Sequence, residues 1–147
     1  MNKKDKEIKK LIEENILSTP LSEYERIQIG MTHEDIFKMM HEDLLGDINR
    51  FHNKFGFKKN EKVGIPDNPE LVNFRTSFLM EELAEYTQAI TKKDDAGALD
   101  ALVDIVYIAL GTAWLFNLPF EKAWKEVQTA NMKKVRAKSK SKKRGTA

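Results

Sequence analysis

Five carboxylates interrupt the most apolar part of this 147-residue chain. Glu81, Glu82 and Glu85 stand in one segment, and Asp100 and Asp104 in the next. A charged group on a core-facing stripe is destabilising unless something compensates it. This pair of acidic segments therefore constrains the fold more than any other feature. An α-helix turns about 100° per residue, so positions three and four apart share a face. From Pro69 to Thr91, Leu71, Phe74, Phe78 and Ile90 or Ala89 mark an apolar stripe. Glu81, Glu82 and Glu85 continue that stripe rather than the opposite, solvated face. From Leu99 to Leu115 nearly every residue is apolar, while Asp100, Asp104, Tyr107 and Gly111 fall on one narrow face. No Lys or Arg occurs between Asp94 and Asn117, so this helix supplies no counter-ion of its own.

Three glutamates on one helix facing two aspartates on the next describe a cage of hard oxygen ligands. Such a cage suits Mg²⁺ or Mn²⁺ and does not suit Zn²⁺. Glu81-Glu82-x-x-Glu85 taken alone fits an ordinary solvated helix face equally well, because such runs are common in helices. Both acidic groups together, with their inward phase, favour the cage.

Composition narrows the remaining possibilities. The length suffices for one domain with a core, and 41% hydrophobic with 33% charged residues fits a soluble, helix-rich protein. There is no cysteine, which excludes disulfides, thiolate metal sites and cysteine nucleophiles and is compatible with a cytoplasmic setting. Met1 to Glu7 is polar and charged, with no signal-peptide core behind it. The longest apolar run, Ile105 to Leu110, is too short to span a bilayer, so no membrane role is expected. The net charge of +2 conceals an asymmetry: eight Lys or Arg and no acid lie from Lys133 to Ala147, leaving 17 bases against 23 acids elsewhere. The body is acidic and the tail basic.

Along the chain, Ile8, Leu11, Ile12 and Ile16 recur at helical spacing, predicting an amphipathic helix over Lys3 to Leu17 whose apolar face packs on the body or on a second subunit. Pro20 ends it, and Leu21 to Ile29 adds a further turn or two before Gly30. Thr32 is an N-cap for a long amphipathic helix carrying Ile36, Phe37, Met40, Leu44, Ile48, Phe51 and Phe55, which stops at Gly56. Phe57 to Asp67 reads as a loop. Asn68-Pro69-Glu70 opens the glutamate helix, which runs to about Thr91. Asp94 or Asp95 caps the aspartate helix, from about Ala96 to Phe116. Pro119 opens the last helix, with Phe120, Ala123, Trp124 and Val127 on its inward face. No strand pattern occurs.

The expected architecture is all-α: a four-helix bundle with an extra amino-terminal helix, neighbours antiparallel across short connections. Residues 1–30 form the amino-terminal extension, 31–137 the bundle domain and 138–147 a basic, disordered tail. The aspartate helix is so apolar that one chain cannot cover it, which predicts a homodimer or higher homo-oligomer.

Phe78-Leu79-Met80-Glu81-Glu82-Leu83-Ala84-Glu85, Asp100 to Tyr107, Gly111-Thr112-Ala113 and Asn131-Met132-Lys133-Lys134 together resemble the all-α nucleoside triphosphate pyrophosphohydrolases. That superfamily includes MazG, dimeric dUTPases and phosphoribosyl-ATP pyrophosphohydrolase. Asp47 to Gly56 resembles the amino-terminal helix of the short MazG-like and phosphoribosyl-ATP pyrophosphohydrolase-like proteins. The resemblance covers roughly Asp43 to Arg136 and rests on the ordered set, since Glu-Glu-x-x-Glu alone is weak. One departure stands out. The superfamily's second acidic motif is usually Glu-x-x-Asp, but the residue three before Asp104 is Ala101, and the acid has moved to Asp100. The metal-ligand set implied is Glu82, Glu85 and Asp104, then Glu81, then Asp100.

The resemblance implies Mg²⁺-dependent hydrolysis of a (deoxy)nucleoside triphosphate, or a phosphoribosyl-ATP-like substrate, between the α and β phosphates. The products are a monophosphate and pyrophosphate. Metal would bridge carboxylates and triphosphate, and Glu81 or Glu82 would take the proton of the attacking water. Asn131 and Lys134 repeat a family motif and are implied to contact phosphate or sugar; a solvated helix face is the bland alternative. Arg75, just off the apolar stripe, is placed to pair with a carboxylate or a phosphate. His52 and Phe51 are placed to meet a base, although the spacing of Phe51 fits core packing better. Tyr107 either holds a carboxylate or packs in the core.

A di-iron carboxylate protein needs Glu-x-x-His pairs, and Gly30, Lys38 and Asn49 precede the three histidines at that position. The rival from another class is a non-enzymatic helical module that binds nucleic acid or a partner through its basic tail. That tail is expected to attract polyanions weakly and non-specifically.

Overall fold

A computed structural model of the chain describes residues 2–17, 30 and 32–136. Five helices carry the described fold: α1 Lys3–Leu17, α2 His33–Lys54, α3 Pro69–Lys92, α4 Asp95–Leu115 and α5 Phe120–Met132. No strand occurs among the described residues. The architecture is the expected all-α one, four main helices with α1 added. The expected turn at Leu21 to Ile29 and the basic tail from Lys138 lie outside the described residues.

Local chemistry sets the helix starts. The Thr32 hydroxyl accepts from the Asp35 amide, and the Asp35 carboxylate accepts from the Thr32 amide, closing a capping box on α2. Asn68 accepts from the Leu71 amide at 3.2 Å, with Pro69 in the first turn of α3. Asp94 rather than Asp95 caps α4, accepting from the Gly97 amide at 3.0 Å. Lys93, at φ 53°, ends α3 in the left-handed region, so α3 reverses into α4 through two residues. That tight reversal lays the glutamate and aspartate helices side by side.

α4 is the hub, and each of the other four helices packs on it. Ala96, Ala101, Leu110, Ala113 and Leu115 of α4 are buried, together with Ile48 of α2, Ala89 of α3 and Phe116. The small residues of α4 let neighbouring backbones approach closely. Between α2 and α3 the loop is tied to the end of α4. The Asn60 amide donates to Leu115 at 2.8 Å and the Gly64 amide to Phe116 at 3.0 Å. α4 is also long and apolar enough, by composition alone, to cross a membrane. Its position at the centre of the bundle accounts for part of that character.

The phase of α3 differs from the sequence expectation. Its inward face runs through Leu71, Arg75, Phe78, Glu82, Tyr86 and Ala89, whereas Phe74 is 55% exposed and Ile90 is exposed too. A stripe drawn through apolar residues alone passes over Arg75 and Tyr86, whose long side chains bury an apolar body behind a polar end. On α1, Ile8 and Ile12 are half-buried against α4, but Leu11 is 60% exposed.

Candidate active site

The acidic residues meet where α3 and α4 run side by side. Glu82 faces inward and is half-buried, and its Oε2 is fully shielded with no hydrogen-bond partner among the described residues. Burial, and then the charges of Glu85, Asp104, Glu81 and Asp100, push the Glu82 carboxyl above its ordinary range. Those four carboxylates therefore lie close enough to be felt at Glu82. Glu81 and Glu85 are exposed, so the expectation that all three glutamates sit on the buried stripe holds for Glu82 alone. Consecutive helical residues diverge by about 100°, and Glu81 consequently falls on the rim, as does Glu85.

On α4 the aspartates have found a cation that sequence reasoning missed. Lys4 of α1 places Nζ 2.7 Å from Asp100 Oδ1, an ion pair rather than an aligned hydrogen bond, and donates to Asp104 Oδ2 at 3.2 Å. The Asp100 and Asp104 side chains are 19% and 36% exposed. Contact with Asp100 first, and with Asp104 besides, raises the proton affinity of Lys4 against the opposing effect of desolvation. No local signal marks Lys4, which is one of several lysines on an amphipathic helix.

No three carboxylates or histidines among the described residues are drawn together closely enough to hold an ion as the side chains stand. The donor chemistry nevertheless fits a hard divalent cation. All the groups are carboxylates on two adjacent helices, one oxygen is buried without a partner, and the excess negative charge already holds a surrogate cation.

Arg75 and His52 lie elsewhere. Arg75 donates from Nε to Thr112 Oγ1 at 3.0 Å and from Nη2 to the Ile108 carbonyl at 2.9 Å, with its guanidinium over the Phe78 ring. Burial lowers its proton affinity. It stitches α3 to α4 instead of pairing with a carboxylate. His52 is 3% exposed, ringed by Phe51, Phe57 and Trp114. Its Nδ1 lies 2.7 Å from the Ile48 carbonyl, which can only accept, so Nδ1–H donates. The imidazole expected to meet a base is enclosed by aromatic rings. Tyr107 packs edge-on against Phe51 at 5.5 Å, and burial and the charge of Asp47 raise its hydroxyl's proton affinity. It faces α2 rather than the acidic groups.

Asn131 and Lys134 are exposed at the end of α5, where Lys134 Nζ donates to Asn131 Oδ1 at 2.6 Å. A separate cleft of about 340 Å³ opens near the C-terminal end of α4, between Asn49, Lys59, Trp114 and Phe120, and none of the five acids lines it.

Comparison with protein families finds a match to the model described as phosphoribosyl-ATP pyrophosphohydrolase, over residues 48–131. The matched span is more than half of the chain and contains all five acids. Curated proteins and solved structures give no match.

Proposed function

The chain belongs to the phosphoribosyl-ATP pyrophosphohydrolase family, within the all-α nucleoside triphosphate pyrophosphohydrolase superfamily, and from that premise we propose a Mg²⁺-dependent enzyme acting on a nucleoside triphosphate or a phosphoribosyl-ATP-like substrate. It cleaves between the α and β phosphates and releases a monophosphate and pyrophosphate. The observation that carries this reading is the buried, unpartnered Oε2 of Glu82 at the meeting of five carboxylates.

In this reading Glu82, Glu85 and Asp104 would hold the metal, with Glu81 and Asp100 alongside. A divalent ion bound there supplies charge neutralisation for the triphosphate and an oriented water. Exposed Glu81 stands at the rim, while Glu82 faces inward with its carboxyl held above its ordinary range by burial and by the neighbouring carboxylates. One of these two glutamates accepts the proton as the water attacks. Asn131 and Lys134 contact phosphate or sugar, and their mutual hydrogen bond keeps both polar ends together. Arg75 and His52 are scaffolding. Arg75 fixes the spacing of α3 and α4, and His52 fills the space beside Gly111.

The active unit is a homodimer or a larger homo-oligomer. Met80 and Leu83 of α3 and Leu102, Val103 and Val106 of α4 are between 45% and 67% exposed. An apolar surface of this kind on two packed helices is suited to a second copy.

Product identification tests the reading. Purified protein is incubated with Mg²⁺ and a panel of ribose and deoxyribose triphosphates plus phosphoribosyl-ATP, and the products are separated. Monophosphate and pyrophosphate, abolished by chelation, are expected. Diphosphate and orthophosphate would sink the mechanism, and no turnover of any substrate would favour a non-enzymatic helical module.

A further inference from the structure

The Lys4 ammonium sits where a cation bound by the two aspartates belongs. Asp100 and Asp104 are one helical turn apart, and a single Nζ reaches both, at 2.7 and 3.2 Å. The donor comes from outside the α3–α4 pair, on a helix that precedes the family-matched span. Its attachment is shallow. Of the described α1 side chains only Asp5, Ile8 and Ile12 are half-buried and the rest are exposed. The ion pair is thus a substantial part of what docks the first turn of α1 on α4.

A divalent ion on these carboxylates competes with the ammonium for the same negative charge. An ammonium on a half-exposed, flexible stem is held weakly, whereas a divalent ion takes the same oxygens directly and carries twice the charge. We propose that Lys4 is the resident counter-ion of the metal-free site, and that divalent metal displaces it and loosens α1, making α1 a strap whose docking reports metal loading. The proposal rests on the metal site described above and goes beyond it by giving α1 a role. In the metal-free state Lys4 keeps two neighbouring aspartates from repelling each other. When metal arrives the ammonium leaves, and α1 loses that contact while Ile8 and Ile12 still pack against α4. Linkage makes the effect reciprocal: the factor by which Lys4 weakens metal binding is the factor by which metal weakens the docking of α1.

Two measurements on the full chain test this. Mn²⁺ affinity is measured by calorimetry for wild type, Lys4→Met, which keeps the stem and removes the charge, and Lys4→Arg, which keeps the charge. Lys4→Met is expected to bind Mn²⁺ tighter, on the order of five-fold at low salt, with the gap closing as salt screens the pair. Lys4→Arg is expected to stay near wild type. Amide hydrogen exchange over residues 3–17 is then followed with and without Mn²⁺. Wild-type exchange is expected to speed up several-fold on saturation, while Lys4→Met exchanges fast in both states. Equal or weaker Mn²⁺ binding by Lys4→Met overturns the proposal. So does wild-type α1 exchange that Mn²⁺ leaves unchanged or slows, and this second arm decides alone if Lys4→Met does not fold. Binding of Mn²⁺ without any change in α1 overturns the proposal and leaves the metal site standing. Failure of every variant to bind Mn²⁺ removes the metal site and the strap together.

Discussion

Arg75 Nη2 lies 2.9 Å from the point that a β-carbon on Gly111 would occupy. His52 Cε1 stands 3.0 Å from the same point. Gly111 is thus the floor on which α3, through its arginine, and α2, through its histidine, both approach α4. The guanidinium is held there by bonds to Thr112 and Ile108, and aromatic rings hold the imidazole in place.

Gly111→Ala is therefore expected to destabilise the fold, by about 1–3 kcal/mol as for other overpacked sites. Urea unfolding followed by circular dichroism measures it. An unchanged midpoint would mean that Arg75 swings aside freely and does not set the spacing of the two helices.

Glu82→Gln is expected to reduce turnover by orders of magnitude while the metal-free protein keeps or gains stability. The Glu82 proton is held more tightly in the folded state than in the unfolded chain. The folded state then binds more protons between the two values, so the stability this group contributes is full at acid pH and fades as pH rises through the folded value. Thermal unfolding in chelator across the acid-to-neutral range should show wild type losing ground to Glu82→Gln as pH increases. Parallel curves would show that neither burial nor the neighbouring carboxylates hold the Glu82 carboxyl above its ordinary range.

Light scattering at micromolar concentration should report a dimer or larger for wild type. Val103→Glu, in the exposed apolar patch of α4, is expected to give monomers with unchanged helix content, since a buried unpaired charge opposes association. A wild-type monomer would refute the proposed assembly, and a dimeric Val103→Glu would place the interface elsewhere.

Deleting residues 138–147 removes five bases and no acid. Turnover at saturating substrate should be nearly unchanged, with a modest fall in kcat/KM at low salt, because an acidic body repels triphosphates and the tail's charge offsets that repulsion. Loss of turnover at saturation would make the tail part of the site.

Much of the fold was legible because its signals are local. Thr32, Asn68 and Asp94 each sit three residues before the amide they accept from, and such short-range chemistry survives without knowledge of the rest of the chain. The α1 range follows from the spacing of Ile8 and Ile12 and the break before Pro20. The phase of α3 was harder to read. Apolar periodicity misplaced Phe74 and Ile90 because Arg75 and Tyr86 can be buried once α4 supplies partners for them. His52 looked available for the same reason: its enclosure by Phe57 and Trp114 depends on a loop and a helix that lie beyond its own segment.

By itself the sequence determined five acids on two consecutive helices, the all-α class and the resemblance to a family over the central span. Helical periodicity repeats every few residues, so a short stretch carries it. Tertiary structure decided which glutamate is buried and which two stand at the rim. It turned Arg75 toward the α4 backbone and enclosed His52 among rings. It also brought Lys4 to Asp104, 100 residues away. The aspartate helix holds no cation, so its need for one was readable. The identity of that cation depended on how α1 lies across α4, and no local pattern encodes a contact between surfaces so distant in the chain.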